Sequence, residues 1–239
     1  MRQLPRLPLI VAIAAIAAIL LGWWQLERLS DGIVATRTSF DGVPATVFQG
    51  EDGGPAPVVV IAHGFAGSQQ LMLPFALTLA RNGYVAVTFD FPGHGRNPLP
   101  MRGGLTDDAA ASRSLLDALA AVMAGARPLG DGRLALLGHS MAADILVRHA
   151  ETDPSVDATV AVSLFTKGVT ATAPRNLLVV DGALEPAMLI DDGYRIIRMA
   201  GGPDAVRARP TAASPTARRA ASPSPAARST SACSTTARA

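Results

Sequence analysis

The segment Leu136–Asp144, LLGHSMAAD, ends a short apolar run in Gly138-His139-Ser140-Met141-Ala142 and passes into residues of helical character. A serine held on a sharp strand-to-helix turn has its hydroxyl pushed out beyond the end of the strand, where it can attack an electrophilic carbon. Such a turn needs small residues two positions to either side, and Gly138 and Ala142 supply them. A serine hydroxyl is a weak nucleophile until a base takes its proton. The chain has four histidines, His63, His94, His139 and His149, and none beyond position 149. They show no spacing suited to a metal ion, and Cys233 is the one cysteine of the chain, so no internal disulfide forms.

The elements that must carry these residues can be read from periodicity and turn chemistry. IVATRTSF and VPATVFQ flank Asp41-Gly42, a two-residue hairpin signal. VVVIAH (Val58 to His63) is a continuous β-branched run, as in a strand buried on both faces. Ser68 to Asn82 reads as a helix with Ser68 as N-cap and Gly83 just past its end. Tyr84 to Asp90 is the next strand, Thr106 to Ala124 a helix, RLALLG a strand and Met141 to Ala150 a helix. DATVAVS and NLLVVDG add two more strands. The pattern predicts an α/β fold: a mostly parallel sheet with an N-terminal antiparallel hairpin and helices on both faces. No large insertion separates Ser163 from Asn176, which suits an open pocket for small acyl esters.

Three segments, each just after an expected strand, follow one another in a familiar order: HGFAGS (His63 to Ser68), DFPGHGRN (Asp90 to Asn97) and LLGHSMAAD. In this order and spacing the chain resembles the α/β-hydrolase superfamily over about residues 36–200. The resemblance implies hydrolysis of ester or related acyl bonds with Ser140 as nucleophile and no cofactor or metal. It implies an oxyanion hole from the backbone N–H groups of Phe65 and Met141, with His63, Gly64, Gly138 and His139 shaping the supporting loops. The orienting acid is expected a few residues past a glycine after the next-to-last strand. Gly182 makes Glu185 the first choice and Asp181 the second. An aspartate nucleophile, as epoxide or halide chemistry normally wants, is disfavoured by Ser140. The base is expected after the last strand, and this sequence has no histidine there. A catalytically inactive binding protein on the same fold is therefore the alternative.

The chain past residue 203 is built almost wholly from Ala, Ser, Thr, Pro and Arg, with no Leu, Ile or aromatic residue. Such a composition cannot bury enough apolar surface to offset its ordering entropy, and disorder is expected. Six of the 21 basic residues lie past Val206 with no acidic residue among them, leaving 15 basic and 19 acidic residues before it. The basic balance is thus local and gives no reason to expect a nucleic-acid partner. One choice of codons for Ser229 to Thr235 in GC-rich DNA, read one base earlier, spells His-Val-Gly-Val-Leu-Tyr. A shift of frame near Val206 would account for a missing last strand, base and final helix.

At the other end, Arg2 and Arg6 precede or open an apolar run from Leu7 to Trp24 that closes on Trp23-Trp24. It is long enough to cross a bilayer core, and basic residues before it favour a cytoplasmic N-terminus. The expected organisation is a membrane anchor or signal segment over 1–30, an incomplete hydrolase domain over 31–202 and a low-complexity tail over 203–239. The domain is expected outside the cytoplasm, anchored, or else secreted or periplasmic after cleavage. The expected partners are a small acyl substrate and the membrane, with oligomeric state left open.

Overall fold

A computed structural model describes residues 6–103, 108–166 and 174–201. The tail past residue 203, Thr106 and much of the Ser163–Asn176 connection, to which expectations were attached, lie outside the described residues.

The apolar N-terminal run is a single helix, α1 (Arg6–Arg28), with its large side chains exposed along its length. A 21-residue stretch of it, Pro8–Arg28, is long and apolar enough to cross a membrane. The hairpin follows as β1 (Ile33–Phe40) and β2 (Val43–Gly50), paired antiparallel with Phe40 opposite Val43. Asp41 and Gly42 both have positive φ, 48° and 80°, which is what a two-residue turn matched to strand twist requires. The chain then alternates: β3 (Val58–Ala62), α2 (Leu73–Arg81), β4 (Val85–Phe89), α3 (Asp108–Ala126), β5 (Leu134–His139), α4 (Met141–Thr152), β6 (Ala158–Val162), β7 (Leu177–Val180) and α5 (Ala187–Gly201).

The seven strands form one sheet in the order β1-β2-β4-β3-β5-β6-β7. β2 joins β4 antiparallel, and every pairing from β4 onward is parallel. Consecutive residues of a strand face opposite sides, so the buried run of β3 feeds two layers. Val58, Val60 and Ala62 pack with Leu119, Val122 and Leu146 of α3 and α4. Val59 and Ile61 pack with Met72, Ala76 and Ala80 beneath α2. At the far edge Leu177 and Val179 pack with Val147 of α4 and Ile196 of α5. Their neighbours Leu178 and Val180 are 56% and 44% exposed on the opposite side of the sheet. β7 is the last strand of the sheet, the side on which a further strand and helix are expected to be missing.

Two local expectations differ from what is observed. The helix expected from Ser68 begins instead as a 3-10 turn over Gln69–Met72, and α2 starts at Leu73. Pro74 has no N–H to donate to the carbonyl of Gln70, so α-helical bonding cannot run through from position 69. Ser68 makes no side-chain cap; the Gln69 N–H is instead bonded to the Asp90 carboxylate at 2.8 Å. Helix α5 was not anticipated.

Candidate active site

Ser140 sits between the last residue of β5 and the first of α4, with φ 54° and ψ −118°. That is a region in which non-glycine residues are strained. The turn persists because its surroundings hold it. The Ser140 N–H donates to the Val162 carbonyl of β6 at 2.8 Å, and the Ser140 carbonyl accepts from the Ala143 N–H at 2.9 Å. Strand and helix meet so closely that a Cβ on Gly138 would lie 2.7 Å from Leu146 Cδ1 and 2.8 Å from the Ala142 carbonyl carbon. Ala142 itself is fully buried. The small residues flanking the serine are thus a packing requirement.

The loop after β3 lies directly against this turn. A Cβ on Gly64 would come within 2.9 Å of His139 Nδ1 and 3.2 Å of Ser140 Cβ. The loop turns over Ala66 (φ 55°), closed by the Gly67 N–H to the Gly64 carbonyl at 3.1 Å. Phe65 and Met141 are thereby placed on the two segments that meet at Ser140. Met141 is the first residue of α4, so its N–H has no partner within the helix.

His63 is fully buried. Its Nδ1 is 2.8 Å from the Gly64 carbonyl, and its Nε2 accepts the Phe91 N–H at 3.2 Å. Nδ1 is therefore the protonated nitrogen and both are committed to backbone. His63 ties the loop after β3 to the loop after β4, and its ring stacks edge-on to Phe91 at 5.3 Å. Burial holds its pKa below the ordinary 6.5, opposed by the bond to Gly64. The fold favours the neutral ring, while the unfolded chain takes up a proton near the ordinary value. Its stabilising contribution is complete above about pH 6.5 and is lost as pH falls below it. Urea unfolding midpoints are expected to be lower at pH 5.5 than at 7.5, and His63→Gln is expected to shrink that difference.

The loop after β4 is fastened by Asp90, whose side chain has no exposed surface. Its carboxylate accepts the Gln69 N–H at 2.8 Å, Gln69 Nε2 at 2.6 Å and the Arg96 N–H at 3.1 Å, with Arg96 Nε 3.9 Å away. Gly95, at φ 52°, leaves no room for a Cβ beside that carboxylate. The Gln69 side-chain oxygen Oε1 accepts in turn from Thr46 Oγ1 at 2.6 Å. This network was not legible in advance beyond the motif that contains Asp90.

The two carboxylates after β7 have different surroundings. Asp181 Oδ1 accepts the Leu164 N–H at 3.4 Å, and its Oδ2 occupies the space that a Cβ on Gly193 of α5 would need. Burial raises its pKa; the Leu164 bond opposes this and the nearby Glu185 adds to it. Glu185 Oε1 accepts the Ser163 hydroxyl at 2.6 Å, while Oε2 is buried with no partner among the described residues. Ser163, at the end of β6 with φ 53°, also donates its N–H to the Val180 carbonyl of β7 at 2.9 Å. No sequence signal had singled it out. Backbone bonds therefore tie the Ser140 turn to Val162 and the next residue, Ser163, to the end of β7, while the Ser163 hydroxyl reaches Glu185.

His94 makes a 3.0 Å contact from Nδ1 to the Pro92 carbonyl, and His149 pairs with Asp153 at 3.1 Å within α4 and its cap. His139 is exposed beside Gly64. Among the described residues no group of three or more His, Cys, Asp or Glu could hold a metal ion.

A sequence model of the serine aminopeptidase S33 family matches residues 53–189, more than half of the chain. An uncharacterized protein of Mycobacterium tuberculosis strain H37Rv is 31% identical over 164 residues, 61% of this chain and 56% of that protein. A second uncharacterized protein, from M. tuberculosis strain CDC 1551, is 31% identical over 108 residues, 45% of this chain and 36% of its own length. The chain thus spans about half or less of the curated relatives it matches. Among solved structures, a Klebsiella pneumoniae protein assigned as a dienelactone hydrolase superposes with a TM-score of 0.54 at 20% identity. The match covers 72% of this chain and 83% of that one and concerns the fold.

Proposed function

Because the chain belongs to the serine aminopeptidase S33 family of the α/β-hydrolase superfamily, we propose that it is built to hydrolyse esters or related acyl bonds with Ser140 as nucleophile. The observation that carries this is the Ser140 turn: φ 54° and ψ −118° at the junction of β5 and α4, with Gly138 compressed against Ala142. A strained serine is retained where surrounding packing over-determines it, and such positions cluster at reactive sites.

In this reading Ser140 Oγ attacks the acyl carbon, and the carbonyl oxygen takes up negative charge between the Phe65 and Met141 N–H groups. Donors placed for that charge need no reorganisation during the reaction, and losing one typically costs about 10²–10³ in rate. Glu185 is the orienting acid. Ser163 occupies one of its oxygens, and the other, buried and unpaired, is a ready acceptor for an imidazole N–H. Asp181 already serves the Leu164 N–H and packs against α5, which supports a structural part for it.

The base is missing from the chain as written. His63 has both nitrogens bonded to backbone and His149 is paired with Asp153. We attribute the missing histidine to a shift of frame near Val206; that β7 is an edge strand with Leu178 and Val180 half-exposed is compatible with a further strand and helix beside it. The α1 helix is the membrane anchor, and the domain lies outside the cytoplasm. The same committed histidines favour the second reading, a non-catalytic protein that keeps the hydrolase fold for binding.

Hydrolysis of p-nitrophenyl butyrate separates the two. A frame-restored chain, translated one base earlier from codon 206, is expected to turn the ester over. The chain as written is expected to show only the residual rate of a site lacking its base. Two equally inert chains would favour the binding protein.

A further inference from the structure

We propose that the catalytic edge of the domain faces away from the bilayer, so that the protein takes its acyl substrate from the aqueous phase and not from the membrane. This rests on reading α1 as a membrane span. β1 is antiparallel to β2, and β2 to β4, so β1 runs in the same direction as the parallel strands. Its first residue, Ile33, lies opposite Gly50, at the edge where β3, β4 and β5 begin. Ser140, Phe65 and Glu185 all follow strand ends at the other edge. An eight-residue strand at about 3.3 Å per residue separates the two edges by about 25 Å.

The join between α1 and β1 is residues 29–32, and it is wound rather than slack. Leu29, Ser30 and Asp31 donate their N–H groups to the carbonyls of Leu26, Glu27 and Arg28, and Ile33 donates to Ser30. The Arg81 guanidinium, at the end of α2 on the same edge, donates to the Arg28 carbonyl. The Arg28 guanidinium lies 4.7 Å over the Trp24 ring, the side chain suited to a membrane–water interface. Even fully extended, four residues reach only about 14 Å. A connection this short keeps the strand-starting edge at the bilayer.

The opposing consideration is an apolar rim at the catalytic edge. Phe65, Leu71, Leu184 and Met188 are 59%, 67%, 97% and 57% exposed. On an untethered domain such a rim would suit docking on lipid; here it suits an apolar substrate group arriving from water.

Depth-dependent fluorescence quenching tests the orientation without requiring catalysis. The full chain with Cys233→Ser carries single bimane-labelled cysteines from Ile16→Cys, Leu29→Cys or Leu184→Cys, in phosphatidylcholine vesicles with acyl-chain-brominated lipid. The label at 16 is expected to be strongly quenched, that at 29 weakly, and that at 184 no more than in bromine-free vesicles. Met188→Cys supplies an independent probe of the same edge and is expected to match 184. Quenching at 184 and 188 equal to or above that at 29 would overturn the proposal and place the rim on lipid. An unquenched label at 16 would overturn the anchor itself, and the orientation with it.

Discussion

Glu185→Gln in the frame-restored chain is expected to lower kcat for p-nitrophenyl butyrate by about 10³–10⁴, with KM little changed. A glutamine keeps the size of the side chain and its bond to Ser163, but it presents a neutral amide where an imidazolium forms in the transition state. Asp181→Asn in the same background is expected to stay within about threefold of the parent, since a rate effect of this kind belongs only to the group that holds the base. The contrast is what the two local environments predict. Asp181 has its donor on the backbone of Leu164 and its other oxygen against Gly193. Glu185 has a hydroxyl donor on Oε1 and nothing on its buried Oε2. The reverse result, with Asp181→Asn the damaging change, would move the acid to position 181 and leave Glu185 as a turn carboxylate.

Asp90→Ala is expected to cost about 3–5 kcal/mol of folding stability. The substitution removes a wholly buried carboxylate and strands the Gln69 N–H, the Gln69 side-chain amide and the Arg96 N–H, all within 3.1 Å of it. Buried donors without acceptors lose their water and receive nothing in exchange. For a domain of this size that corresponds to a fall in Tm of about 10 °C. Asp90→Asn, which retains acceptor capacity and shape, is expected to cost less. Thermal melts followed by circular dichroism measure both. A shift below about 3 °C for the alanine variant would mean that the loops after β3 and β4 hold their positions without this clamp.

What could be read before folding was the part written in local chemistry. Asp41-Gly42 announces a turn with two positive φ angles, and the β-branched run at Val58 can hardly be other than a buried strand. Gly138 and Ala142 mark the tight junction because bulk is forbidden there. What could not be read depends on partners far apart in sequence. The helix expected from Ser68 begins one turn later, at Leu73, because Pro74 and the distant Asp90 together redirect the first N–H groups. Helix α5 is absent from the expected elements although Leu189 and Ile196, and Ile190 and Ile197, recur at helical spacing, because no motif draws the reading past the carboxylates after β7. Gly193 is needed where α5 passes over Asp181, a contact with no trace in spacing. Spacing from Gly182 ranks Glu185 ahead of Asp181, but the donors that differ between them, the Ser163 hydroxyl and the Leu164 N–H just past β6, are brought by the fold.

The part assigned to Ser140 is tested most directly by covalent labelling with a fluorophosphonate, followed by peptide mapping of the frame-restored chain. One adduct on Ser140, absent from Ser140→Ala and much slower to form in the chain as written, is the predicted result. An adduct on another residue, or none in a folded frame-restored protein, would contradict it.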